Sequence, residues 1–306
     1  MDISFYNIFI NTHINTNYFD IKCIFDSADI NSGIKKHDHL THSGVLKGNY
    51  AKNSVLRGEG SILDDIGLLL SVALGNQVFS DSFNLGRIGA NKNDFSLLMQ
   101  DDIELFINKS ISQLEGMSPE YQNIFKNAIL MYYQTKYFLW FDDLKDILFM
   151  NCFEFIIMSI YRIDKSIPDD QGIEFSPAYT YLITKFNYQE YLDEKLLGEI
   201  GGESLKDFKK RMQLKKFSSF EKQFRDMRNW IAHGKNHKKP VFAISPSNVE
   251  FTFEYKLESF IRIVLIDLIY TQDYKRKFDV LYQLILEKNV MIMVHPEFPK
   301  LRFVNS

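Results

Sequence analysis

Cysteine is scarce in this chain. Its 306 residues hold two, Cys23 and Cys152, far apart and without metal-type spacing. That excludes a disulfide scaffold and points to a reducing cytoplasm. A long hydrophobic run is also missing. The most apolar stretch, residues 147–163, is interrupted by Asn151, Glu154 and Arg162. It is too short and too polar to span a bilayer and reads as a buried core helix, so no membrane partner is expected. The opening residues, MDISFYNIF, carry neither a basic segment nor a clean apolar run, and no secretory leader is expected. Gly58-Glu59-Gly60 lacks the GK[ST] ending of a phosphate loop and reads as a turn. No Ser or Cys has a positioned His motif nearby, so covalent nucleophilic catalysis finds no support.

What is present is a soluble, aromatic composition. Apolar residues make up 45% and charged residues 25%, which is globular usage. With 27 Phe and 16 Tyr, aromatic rings can fill a core without Leu and Val dominating. The length allows one large domain or two ordinary ones. Charge is unevenly placed. Residues 203–240 carry twelve Lys or Arg against four Asp or Glu, a local +8, which leaves −11 on the remainder of a chain whose total is −3. Such asymmetry suits one surface built to meet an anion, and it equally suits a solvated basic helix face.

The first hundred residues read as mixed. Residues 3–10 and 18–25 are aromatic and β-branched with partial alternation and are expected as strands. Residues 29–53, rich in Gly, Ser, Asn, His and Lys, are expected as loop. Ser61 opens a helix, with Asp64 and Asp65 in its first turn and Gly75 as its stop. Residues 80–94, with Gly86, Gly89, Asn91 and Asn93, define no clear element.

Past Ser118-Pro119 the pattern turns helical. One helix is expected from there to 139, a second over 141–163, and weaker ones near 177–196 and 204–215. A motif helix capped by Ser218 or Ser219 runs to Gly234. Residues 241–244 and 249–253, joined by Ser-Pro-Ser-Asn, form a hairpin, and an apolar helix over 257–270 closes the bundle. The expected fold class is α+β and mostly α. A mixed domain over 1–115 would serve sensing or recruitment, and a helical domain occupies 116–306.

The motif helix is amphipathic. Phe217, Phe220, Phe224, Met227 and Ile231 fall at spacings of three and four and form one apolar stripe. At about 100° per residue, Asn229 and His233 project almost opposite that stripe, one turn apart. Arg228 lies on the flank, about 140° round from His233. It must reach in along its long stem or meet the His of a second chain.

The string Arg228-Asn229-Trp230-Ile231-Ala232-His233-Gly234 resembles the R-N-x-x-x-H form of the R-x(4–6)-H motif of the HEPN superfamily. The resemblance covers a little over half the chain, from Ser118 to the closing helix. Glu154 in the second helix resembles the Glu often found in the corresponding helix of that superfamily. Leu63-Asp64-Asp65-Ile66 through Leu74-Gly75-Asn76 is similar to the N-terminal part of the Apea-like HEPN subgroup. HEPN domains are helical bundles that commonly dimerise and often act as metal-independent RNases. The resemblance therefore implies an endoribonuclease with Arg228, Asn229 and His233 catalytic and no cofactor. It also implies a homodimer through the motif helix, and a bacterial toxin or antiphage role with an activator or antitoxin as a further partner.

The chemistry suits those residue types. Cleaving RNA without a metal requires the 2′-OH to lose a proton and attack the adjacent phosphorus, and His titrates close enough to neutral to move that proton. A guanidinium fork stabilises the charge that grows on the phosphoryl oxygens. Asn229 can hold the His tautomer or donate to a phosphate oxygen. Arg225, one turn before Asn229, can either bind phosphate or pair with Glu221. Lys235, Lys238 and Lys239, with His237, are expected to contact the RNA backbone without reading sequence.

Two rival classes remain. One is a non-catalytic HEPN-like module that binds RNA, a nucleotide or a partner protein. The other is a metal hydrolase built on His37-Asp38-His39 and His42. No Cys or later acidic residue completes a ligand spacing there, so no metal is expected.

Overall fold

The computed structural model describes residues 2–10, 12–24, 40–48, 53–81, 102–136, 142–186, 199–200, 203–204, 220–233, 242–244, 249–251 and 253–270. The protein is α+β, dominated by helices with a small antiparallel sheet. It divides into two compact units. One comprises Met1–Leu148 with Ile261–Gln272, the other Phe149–Phe260 with Asp273–Ser306.

The first unit is built on a five-stranded sheet: β1 (Asp2–Tyr6), β2 (Ile14–Asn15), β3 (Phe19–Cys23), β4 (Leu40–Leu46) and β5 (Phe79–Ser80), in the order β2-β3-β4-β1-β5. Every pairing is antiparallel. The strand expected over 3–10 stops at Tyr6 because Asn7 turns left-handed, with φ 65°. Its buried side-chain amide donates to the Gln77 carbonyl at 2.8 Å, compensating a conformation that few non-glycine residues adopt.

β4 overturns the expectation of loop over 29–53. Its polarity hid it. Thr41 and His42 are fully buried, yet each bonds to backbone. The Thr41 hydroxyl donates to the Phe5 carbonyl at 3.2 Å and accepts from the Ile8 N–H at 3.1 Å, and His42 Nε2 donates to the Thr12 carbonyl at 3.0 Å. Gly44 is required where β3 passes, since a Cβ there would stand 2.0 Å from the Asp20 carbonyl oxygen.

Against β5 packs α1 (Ile62–Leu74), all thirteen of whose residues are buried. Its ends are those the sequence marks. The Ser61 hydroxyl accepts from the Leu63 N–H, the Asp64 carboxylate accepts from the Ser61 N–H, and Gly75 closes in the left-handed region with φ 78°. Buried polar side chains on such a helix need partners. Asp64 pairs with Arg57 at 2.7 Å. Asp65 accepts from the Ser54 hydroxyl and from the backbone N–H groups of Val55 and Leu56, which folds the preceding turn onto the helix. Burial outweighs these bonds and lifts the Asp65 carboxyl to about 6. At the other end, buried Arg262 donates to the Val72 and Ala73 carbonyls at 2.6 and 2.9 Å. It thereby satisfies acceptors that a helix terminus leaves open.

Two further helices described in this unit are α2 (Ile103–Gly116) and α3 (Pro119–Thr135). α2 went unmarked in the sequence, and its Glu104 and Asn108 side chains accept from the Asn15 and Asn17 N–H groups. α3 begins at the Ser118 cap and Pro119, as expected, and packs with α1. α3 lies in the first compact unit.

α4 (Asp142–Asp164) corresponds to the expected core helix, and both it and α7 (Phe253–Ile269) cross the division between units. The second unit contains the rest of α4, then α5 (Phe175–Lys185), α6 (Phe220–His233), the short ladder of β6 (Glu199–Ile200) with β7 (Glu203–Ser204), and the hairpin of β8 (Phe242–Ile244) with β9 (Val249–Phe251). Its core is a ring cluster. Phe224 stacks on Phe175 with centroids 4.6 Å apart, and Phe153 meets both Phe224 and Phe260, at 5.5 and 5.2 Å. The density of Phe in the sequence is thus expressed as packing, where aromatic pairs add stability beyond the area they bury. No described helix is long and apolar enough to cross a membrane.

Candidate active site

α6 has one face committed to the core. Phe224 and Met227 are buried at 0% and 2% exposure, and Ile231 is half-buried. Phe217 and the side chain of Phe220 lie outside the described residues. On the other side Lys222, Arg225, Arg228 and Asn229 are exposed, and Trp230 is half-buried. The helical period read from the sequence is therefore the one the helix uses.

Arg228 does not stand alone. Its Nη2 donates to Glu154 Oε1 at 2.9 Å, which ties α6 to α4. The arginine is 50% exposed and the glutamate 25%, so the carboxylate is the anchored partner and the guanidinium the accessible one. A guanidinium has five donors in a planar fork, and this contact uses one. The arrangement can hold the arginine in place while it presents donors to a phosphate.

Along the same helix, charges are neutralised locally. Lys222 pairs with Asp226 at 3.0 Å, and Arg225 Nε lies 3.9 Å from Glu221 Oε1. Glu221 also accepts from the Ser176 hydroxyl of α5 at 2.7 Å. Of the two roles open to Arg225, the structure shows the contact with Glu221, and the guanidinium is still 54% exposed.

His233 is the last residue of α6, one turn beyond Asn229. Its side chain lies outside the described residues, as do Gly234, Lys235, His237, Lys238 and Lys239, the basic residues 206–216, and the cap candidates Ser218 and Ser219. His37, Asp38 and His39 also lie outside them. Their neighbour His42 is within β4, where burial lowers its imidazole to about 4. Among the described residues no group of three or more His, Cys, Asp or Glu is placed to hold a metal ion.

The ion pair between Glu154 and Arg228 is the relation that spacing alone could not reach. The available signal was Glu154 itself, a charge inside an apolar helix, which calls for an opposite charge from a neighbouring element. Comparison of the chain with family models, with curated proteins and with solved structures found no match.

Proposed function

We propose that the chain is a metal-independent endoribonuclease of HEPN type, with its site built on α6 from Arg228, Asn229 and His233. The observation that supports this most is the half-exposed guanidinium of Arg228, held at 2.9 Å by Glu154 next to an exposed Asn229. His233 would take the proton of a ribose 2′-OH as its oxygen attacks the adjacent phosphorus, and return one to the departing 5′ oxygen. Arg228 would stabilise the charge growing on the non-bridging oxygens. The products are a 2′,3′-cyclic phosphate and a 5′-OH, with no net consumption of water. Phosphates on either side would meet Arg225, Lys235, Lys238 and Lys239.

A helix sets Arg228 and His233 about 140° apart, so one copy does not aim both at one phosphate. Two-fold association through the exposed face of α6 would let each copy supply what the other lacks. In a cell, such an enzyme would act as a toxin or in antiphage defence, held or released by an antitoxin or activator.

The test is cleavage of total RNA by purified protein in excess EDTA. Cleavage that survives the chelator and disappears in His233→Ala supports the reading. RNA binding without cleavage would instead identify a non-catalytic RNA-binding module, and cleavage abolished by EDTA would point to metal-dependent hydrolysis.

A further inference from the structure

Beyond the motif helix, the second unit carries a tyrosine pair, one ring from α4 and one from α5, that the proposed site does not use. Glu154, Met158, Tyr161 and Lys165 follow one another on α4 at spacings of four, three and four, so they share one face. That face is partly accessible: Glu154, Met158 and Tyr161 are half-buried and Lys165 is exposed. From α5, Tyr181 sets its ring against Tyr161, with centroids 5.4 Å apart at 64°. Lys165 Nζ stands 4.6 Å from the Tyr181 ring centre. The Tyr181 hydroxyl donates to Asp164 at 2.8 Å, and Lys185 donates to the same carboxylate oxygen at 2.6 Å.

A tyrosine needed only to fill space between two helices would be buried, and Leu would serve as well. Here the rings are half-buried rather than buried, and one is oriented at both ends, by a hydrogen bond at its hydroxyl and by an ammonium at its face. Fixed, part-exposed rings beside ammonium groups are what single-stranded nucleic acid requires: a flat surface for a base and positive charge for the phosphates next to it. Their position is also suited to it. Tyr161 follows Glu154, the anchor of Arg228, by seven residues on the same face, a rise of about 10 Å.

We infer that Tyr161 and Tyr181 form a stacking site for an unpaired base of single-stranded RNA, close to the phosphate that Arg228 would engage. This rests on the ribonuclease reading and adds the path of the strand, which runs along α4 toward its C-terminal end. Stacking reads a base by its flat face, so the site favours unpaired over duplex RNA and is tolerant of sequence.

The experiment uses the full chain carrying His233→Ala and a single-stranded oligoribonucleotide of mixed sequence with one 2-aminopurine, moved along the strand in successive probes. Fluorescence quenching is expected at one or two positions. Tyr161→Leu should weaken binding by roughly 5- to 150-fold, the range that base–aromatic stacking gives, and abolish that quenching. Tyr161→Phe should retain both. The inference is overturned if no position is quenched, or if Tyr161→Leu binds like the parent at an unchanged melting temperature. Should Tyr161→Leu fail to fold, equal quenching in Tyr161→Phe and the parent, with loss of quenching on duplex RNA, carries the test. Absence of any RNA binding by the parent removes the ribonuclease reading itself.

Discussion

Arg228 of α6 and Glu154 of α4 meet at 2.9 Å, 74 residues apart in sequence, with the arginine the more exposed of the two. An ion pair of this exposure contributes little to stability, about 0–1 kcal/mol. Its consequence is directional. It determines where the guanidinium lies when no substrate is present.

Glu154→Gln should therefore leave the melting temperature nearly unchanged while slowing RNA cleavage. A misplacement of about 1 Å can cost on the order of 100-fold in rate. The check is kcat and KM for cleavage of a defined RNA, with thermal melting alongside. Wild-type kcat in Glu154→Gln would show that the pair does not set the position of Arg228 for catalysis.

Substitutions along α6 should separate stability from activity. Asn229 is exposed, and Asn229→Ala is expected to change stability by no more than about 0.5 kcal/mol. Met227, 2% exposed, should not tolerate a charge, and Met227→Asp should unfold the second unit. His233→Ala should lower cleavage by about 100- to 10,000-fold, as loss of a general acid–base group does. Circular dichroism melts and cleavage rates on the three variants decide it. A His233→Ala variant that cuts RNA at the parental rate ends the case for this helix as the site.

Self-association should run through the same exposed face. Asn229→Arg would set two like charges against each other across a two-fold axis and should shift the protein to monomer, with loss of activity but not of fold. Sedimentation velocity at micromolar concentration reads this directly. Fully active monomers of the parent chain would defeat it.

RNA binding should fall steeply with salt and depend little on sequence, because phosphate contacts release counterions. Reversing the charge of Lys238 and Lys239 together should flatten the slope of log affinity against log salt. An unchanged slope would make them ordinary solvated surface.

The first unit should show opposed pH effects. Burial lowers the His42 imidazole from its ordinary 6.5 to about 4. Between those values the unfolded chain holds the proton and the folded chain does not, so this group removes stability as pH falls through that window. Asp65 is raised from 3.8 to about 6. There the folded chain holds the proton, so this group removes stability as pH rises from 3.8 to 6. The two slopes oppose each other where the windows overlap. His42→Gln should expose the Asp65 effect as a urea midpoint that drops with rising pH from about 4 to 6. A midpoint that still does not vary over that range would mean that Asp65 is not raised by its burial.

Legibility in the sequence followed the range of the interaction. The caps of α1 and α3 and the two-sided character of α6 depend on residues within one or two turns, so Ser61, Gly75, Ser118, Pro119 and the Phe224–Met227 stripe could be read directly. β4 could not, because Thr41 and His42 look like loop residues until the backbone groups they bond to are in place. Those partners, Phe5, Ile8 and Thr12, lie 30 or more residues away. The same holds for Arg262, a basic residue in an apolar helix whose purpose is the open carbonyls of Val72 and Ala73, 190 and 189 residues earlier.

By itself, then, the sequence determined the ends of α1, the start of α3 and the face that α6 buries, and it set Arg228, Asn229 and His233 on one short helix, because helical period and capping are local physics. Tertiary structure alone decided that a polar segment becomes a central strand, that Arg228 is held by Glu154, and that Tyr161 meets Tyr181. Each of those depends on a buried or half-buried group finding its complement on a different element, and no spacing along the chain encodes which element that will be.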